Sequence, residues 1–76
     1  MDVKIYSTPS CPYCIMAKEY FSAKGISYDL IDVSSDQQKR QEMVEISGQM
    51  GVPVIVINGQ VIVGFDKPQI DRVLVK

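Results

Sequence analysis

The chain's only two cysteines lie three positions apart, in Ser10-Cys11-Pro12-Tyr13-Cys14, where an apolar segment gives way to one of helical character. A bridge between such near neighbours closes a very small loop and hardly constrains the unfolded chain, so the sulfurs cannot staple the fold. Stability must come from an apolar core instead. At 76 residues there is room for one domain, residues 1–76, and a chain of this size buries only about 60% of the surface its unfolded form exposes. An apolar content of 46% is enough for a compact core, which leaves the cysteines free for chemistry.

A helix starting at or just after Cys11 points its unpaired N–H groups and the positive end of its dipole at the first sulfur, which stabilises a thiolate. Pro12 supports that start, because its fixed φ suits the first helical position and its missing N–H would have had no partner there. Cys14 falls one turn further on, behind Cys11. Cys11 is thus expected to be the exposed nucleophile. Cys14 is expected to attack a mixed disulfide from within, so that the pair cycles between dithiol and disulfide. The plainer reading is two small buried apolar side chains, but a C-x-x-C at the start of a helix after a strand is the favoured context for redox work. The chain has no histidine, which removes imidazole bases, Cys/His dyads and the commonest partner in zinc sites.

The net charge of −1 comes from nine acidic and eight basic side chains with no long block of one sign, a pattern that suggests neither a nucleic-acid nor a membrane surface. No apolar run approaches the ~20 residues of a membrane span. The start, Met1-Asp2-Val3-Lys4-Ile5-Tyr6, lacks the long apolar region of a signal peptide, so the expected location is the cytoplasm.

Val3 to Tyr6 reads as a strand, and Ser7-Thr8-Pro9-Ser10 as the turn leading to the cysteines. In the helix that follows, Ala17 and Phe21 fall on a face turned to a sheet, while Lys18 and Glu19 face water. Gly25 stands where a helix C-terminus takes a left-handed residue. A second strand lies within Ile26 to Val33, around Tyr28, Leu30 and Ile31, and a parallel strand after a helix makes a right-handed βαβ unit. Ser34-Ser35-Asp36 offers N-caps for a helix from Gln37 to Ile46, with Met43 and Ile46 inward and Ser47-Gly48 closing it. Val54-Ile55-Val56-Ile57, after Val52-Pro53, is an unbroken apolar run of the kind found in strands covered on both faces. Asn58-Gly59 signals a hairpin returning through Gln60 to Val63. Beyond the turn Gly64-Phe65-Asp66, Lys67 to Val75 reads as a short amphipathic helix burying Ile70, Val73 and Leu74, with Pro68 near its start. The class is α/β, in the order β-α-β-α-β-β-α, without linker or repeat.

Set in that order, Cys11-Pro12-Tyr13-Cys14, Val52-Pro53 and Gly64-Phe65-Asp66 resemble the glutaredoxins over essentially the whole chain. The resemblance implies a thioredoxin-like fold, with a mixed four-stranded sheet and three helices on its two faces, and thiol–disulfide exchange as the chemistry. It implies Cys11 as nucleophile, Cys14 as resolving thiol and Tyr13 at the edge of the cleft. Pro53 would be a cis-proline that sets the Val52 backbone beside the sulfurs, where it pairs with an extended substrate as an added strand does. Gly64, Phe65 and Asp66 would form a far wall that holds the γ-glutamyl end of glutathione. Glutathione is then a co-substrate rather than a tightly bound cofactor, and the partners are glutathione and disulfide-containing or glutathionylated proteins. A monomer is expected.

Some positions depart from the family pattern. Three residues before the first cysteine many glutaredoxins carry a lysine for the glycyl carboxylate of glutathione, and here the residue is Thr8. Arg40 stands where the family often places a basic or amide side chain for that carboxylate; otherwise it is a solvated helix residue. Met50-Gly51 precedes Val52 in place of the frequent Thr-Val-Pro, and the Gly-Gly-x-Asp-Asp turn is reduced to Val63-Gly64-Phe65-Asp66-Lys67. The shortened turn is also similar to that of glutaredoxin-like redoxins that serve ribonucleotide reductase and are reduced by thioredoxin reductase. The reductant is therefore open between glutathione and that flavoprotein. A reading of a different class has two chains sharing a metal ion or iron–sulfur cluster, since two thiolates are half of a four-ligand shell. Asp66 has a plain alternative as the cap of the last helix, and Phe65 has alternatives as a core residue or a C-terminal anchor.

Overall fold

The computed structural model describes residues 2–74. Alternation with a period of two builds both faces of its sheet at once. In β1 (Val3–Ser7), Val3 and Ile5 turn to one face and Tyr6 to the other; in β3 (Val54–Ile57), Ile55 and Ile57 share the first face while Val54 and Val56 share the second. β2 (Asp29–Asp32) runs parallel to β1, β3 runs antiparallel to β1, and β4 (Gln60–Val63) runs antiparallel to β3, giving the order β2-β1-β3-β4. Ile5 stands opposite Ile55, and Ile55 opposite Ile62, so the three isoleucines form one row across the first face.

Helices cover both faces, as the apolar run of β3 requires. α1 (Pro12–Ala23) and α3 (Lys67–Leu74) bury Ala17, Phe21 and Ile70 against the first face, and α2 (Gln37–Ser47) buries Met43 against the second. Phe21 is fully buried, which is worth about 1.5–3 kcal/mol for a side chain of that size. This is the mixed sheet with three helices implied by the resemblance. Among the described residues no helix is long and apolar enough to cross a membrane.

Local signals set the element ends. Asp36 caps α2, its Oδ1 accepting the Lys39 N–H at 3.0 Å. α1 closes through Gly25, with the Ile26 N–H donating to the Phe21 carbonyl at 2.9 Å. Asn58 (φ 50°) and Gly59 (φ 87°) make the tight turn between β3 and β4.

Three local expectations are corrected. β1 runs one residue further, to Ser7, and β2 is confined to Asp29–Asp32. Ile46 does not face inward but is 42% exposed. Met43 and Val44, which lie 100° apart around the helix, both pack on the second core, so Ile46, 60° to the other side of Met43, turns to solvent. Ile70 is fully buried and Val73 and Leu74 pack against its core; the expected extension to Val75 lies outside the described residues.

Candidate active site

β1 ends at Ser7, and the chain turns through Thr8 to Cys11, whose N–H donates to the Thr8 carbonyl at 3.3 Å. Cys11 has extended backbone (φ −90°, ψ 113°) and is the N-cap of α1, with Pro12 as its first helical residue. Its sulfur occupies the place of a capping oxygen: the Cys14 N–H donates to Cys11 Sγ at 3.3 Å. A negative charge there gains both from that donor and from the helix dipole.

The two thiols differ sharply. Cys11 is half-buried, whereas Cys14 is only 1% exposed. Burial first, and then the hydrogen bond to Cys11, push the Cys14 thiol up to about 12, while the Thr8 N–H and the Lys18 ammonium pull the other way. One sulfur is therefore reachable at a helix N-terminus and the other is held back in its protonated form.

The loop before β3 meets this pair directly. Cys11 Sγ lies 3.8 Å from the Val52 carbonyl oxygen, within range of a weak S–H···O hydrogen bond. The Val52–Pro53 peptide is cis and Pro53 is fully buried. The Pro53 carbonyl accepts the Gly64 N–H at 2.8 Å, tying this loop to the turn after β4. Gly64 has φ 78°, a conformation that side chains with a Cβ adopt at a cost.

None of the remaining expected residues bonds to either sulfur among the described residues. Tyr13 is 61% exposed in the first turn of α1. Asp66 caps α3: its Oδ1 accepts the Gln69 N–H at 3.4 Å and its backbone carbonyl accepts the Ile70 N–H at 2.9 Å. The Phe65 ring turns to the first core and meets Tyr20 edge-on, with centroids 5.7 Å apart. Arg40 is half-buried on α2, and its side chain makes no ion pair among the described residues.

A cleft of about 250 Å³ opens on another side of the pair, lined among others by Pro9, Cys14, Ile15, Lys18, Leu30 and Asp32. Lys18 does not simply face water, as periodicity suggests, but is half-buried in this cleft. The sequence did carry a signal for it, because residues four apart on a helix share a face and Cys14 precedes Lys18 by four. Leu30 and Asp32 carried none, since they reach the cleft only through pairing of β2 with β1. Among the described residues no group of three or more Cys, Asp or Glu is arranged to hold a metal ion.

Comparison with known proteins agrees with this geometry. The family model described as Glutaredoxin matches residues 3–62. An uncharacterized glutaredoxin-like 8.6 kDa protein in the rubredoxin operon of Clostridium pasteurianum is 49% identical over 74 residues, covering 97% of this chain and 99% of that one. Glutaredoxin 3 of Escherichia coli K12 is 42% identical over 65 residues, covering 86% of this chain and 78% of its own. Among solved structures, the thioredoxin-like protein BC3987 superposes with a TM-score of 0.86 at 27% identity, over 93% of this chain and 97% of that one. With a half-buried thiol capping the first helix and a buried thiol one turn behind it, the chain belongs to the glutaredoxin family of thioredoxin-fold thiol–disulfide oxidoreductases.

Proposed function

We propose that this protein reduces protein disulfides and glutathione mixed disulfides, with Cys11 as nucleophile and Cys14 as resolving thiol. The observation that carries the reading is the asymmetry of the pair: Cys11 Sγ accepts the Cys14 N–H at 3.3 Å at the helix N-terminus, while Cys14 is 1% exposed. The Cys11 thiolate attacks one sulfur of the substrate disulfide, forming a Cys11 mixed disulfide and releasing the other sulfur as a thiolate. Cys14 then attacks Cys11, a Cys11–Cys14 disulfide forms and the second substrate thiol leaves; where Cys11 carries glutathione, a second glutathione thiolate instead attacks the glutathione sulfur, forming glutathione disulfide and releasing the Cys11 thiolate. The Val52 backbone beside Cys11 is available to an extended substrate as an added strand. Asp66 uses one oxygen on α3, which leaves the other for the ammonium of a γ-glutamyl group; Tyr13, Arg40, Gly64 and Phe65 would complete the contacts. A pair that must return to the dithiol state suits a reducing compartment, so the proposed location is the cytoplasm.

Two mutants test the reading. Cys11→Ser abolishes all activity, whereas Cys14→Ser keeps deglutathionylation and loses reduction of protein disulfides. Equal loss of deglutathionylation in both mutants refutes the one-thiol step. Thr8 in place of a lysine, together with the shortened turn, supports a second reading in which thioredoxin reductase regenerates the dithiol. A coupled NADPH assay run once with glutathione and its reductase, and once with thioredoxin reductase, separates the two by which system sustains turnover.

A further inference from the structure

The resolving step sets a problem that the cysteine pair does not solve by itself. To attack Cys11 of the mixed disulfide, Cys14 must give its proton to solvent and carry negative charge in a place where it is 1% exposed. Burial is the largest influence holding that thiol protonated, followed by the hydrogen bond to Cys11. Once Cys11 is bonded to a substrate sulfur it is no longer a thiolate, so its share of the opposition falls away. What remains against burial is the Thr8 N–H and the charge of Lys18.

Three features place Lys18 for this task. It follows Cys14 by four residues on α1 and so shares its face. It lines the same cleft as Cys14. It also makes no ion pair among the described residues. Asp32, the one carboxylate lining the cleft among the described residues, accepts the Ser34 N–H and hydroxyl on its Oδ1 at 2.9 and 2.5 Å and makes no ion pair with Lys18. The charged and titratable groups acting on Cys14 are thus Cys11 and Lys18, from α1 and its cap, while Asp32 of β2 lines the same cleft.

We propose that Lys18 is a positioning residue for the resolving step: its ammonium stabilises the negative charge that develops on Cys14 as this sulfur attacks Cys11 of the mixed disulfide. The Cys14 proton goes to solvent, a Cys11–Cys14 bond forms, and the bond from Cys11 to the substrate sulfur breaks. The substrate sulfur leaves as a thiolate, and over the two exchanges together the cysteine pair is oxidised by two electrons while the substrate disulfide is reduced to two thiols. The inference rests on the roles proposed above for Cys11 and Cys14.

The test is a stopped-flow reaction of the reduced protein with dipyridyl disulfide, a neutral probe that releases one absorbing thiopyridone per exchange. The first release reports attack by Cys11 and the second attack by Cys14. In Lys18→Gln the first release keeps its rate, which also shows that the variant is folded. The second slows, and its pH profile moves upward by about one unit. A tenfold loss of thiolate, partly offset by the greater nucleophilicity of a more basic sulfur, makes the second release about threefold slower at neutral pH. Lys18→Arg restores both rate and profile. An unchanged second release in Lys18→Gln, or an equal slowing in Lys18→Arg, overturns the role of Lys18. If Cys14→Ser fails to give the first release, the assignment of Cys11 falls instead, and this inference with it.

Discussion

Gly64 and Gly51 offer a paired test of the backbone around the site. A methyl group added at Gly64 meets nothing within 4 Å, and one added at Gly51 meets only the end of the Gln49 side chain, at 3.4 Å. Neither alanine collides with backbone, yet Gly64 has φ 78° and Gly51 lies outside the left-handed region. A left-handed residue with a Cβ costs about 1–2 kcal/mol, while replacing glycine by alanine removes freedom from the unfolded chain worth about 0.4–1 kcal/mol. Gly64→Ala should therefore destabilise by about 1 kcal/mol and Gly51→Ala should stabilise by about 0.4–1 kcal/mol. For a domain of this size each kcal/mol moves Tm by about 4–8 °C, so the two variants should melt roughly 6–16 °C apart on either side of the parent. Thermal and urea unfolding of the reduced proteins, followed by far-ultraviolet circular dichroism, measures this, with an unchanged denaturant slope showing that the surface exposed on unfolding is the same. If both variants shift in the same direction by the same amount, the argument from backbone conformation is wrong.

Two further outcomes follow from the thiol pair. Brief alkylation of the native reduced protein should label Cys11 alone, and both cysteines should react in urea, as read by peptide mass spectrometry; comparable native labelling of Cys14 would contradict its burial. Stability of the reduced protein should also fall as pH rises above about 9. The folded Cys14 thiol holds its proton towards about 12 against an ordinary value of 9.0, so the unfolded chain binds fewer protons there, and the slope is at most about 1.4 kcal/mol per pH unit. Cys14→Ser should flatten that slope between pH 9 and 10. Beyond that range Tyr6 adds its own, being pushed from 10.0 to about 12 by burial and by its bond to Glu42. A slope that survives in Cys14→Ser would assign the effect elsewhere.

Much of the architecture is legible residue by residue because its signals are local. Asp36 caps α2 through its own side chain, Gly25 and Asn58-Gly59 take the conformations that their composition favours, and Cys11-Pro12 opens α1. The inward side of α2 is legible only in part. Met43 is plain from the pattern, but that Val44 rather than the expected Ile46 accompanies it depends on how the helix is rotated over β4, which periodicity over so short a segment does not resolve. For Phe65 the sequence leaves wall and core open, and packing of its ring against Tyr20 and the first core is decided by the tertiary structure.

Spacing in the chain alone determined which sulfur caps a helix and which lies behind it, because three residues span one helical turn wherever that turn is placed. Pairing across distant segments decided the rest. The Val52 carbonyl reaches Cys11 over 41 positions, and Asp32 enters the cleft of Lys18 because it pairs with Ser7 across the β1–β2 ladder. A local pattern carries no record of such partners, since the energy that selects them is that of burying both faces of one sheet at the same time.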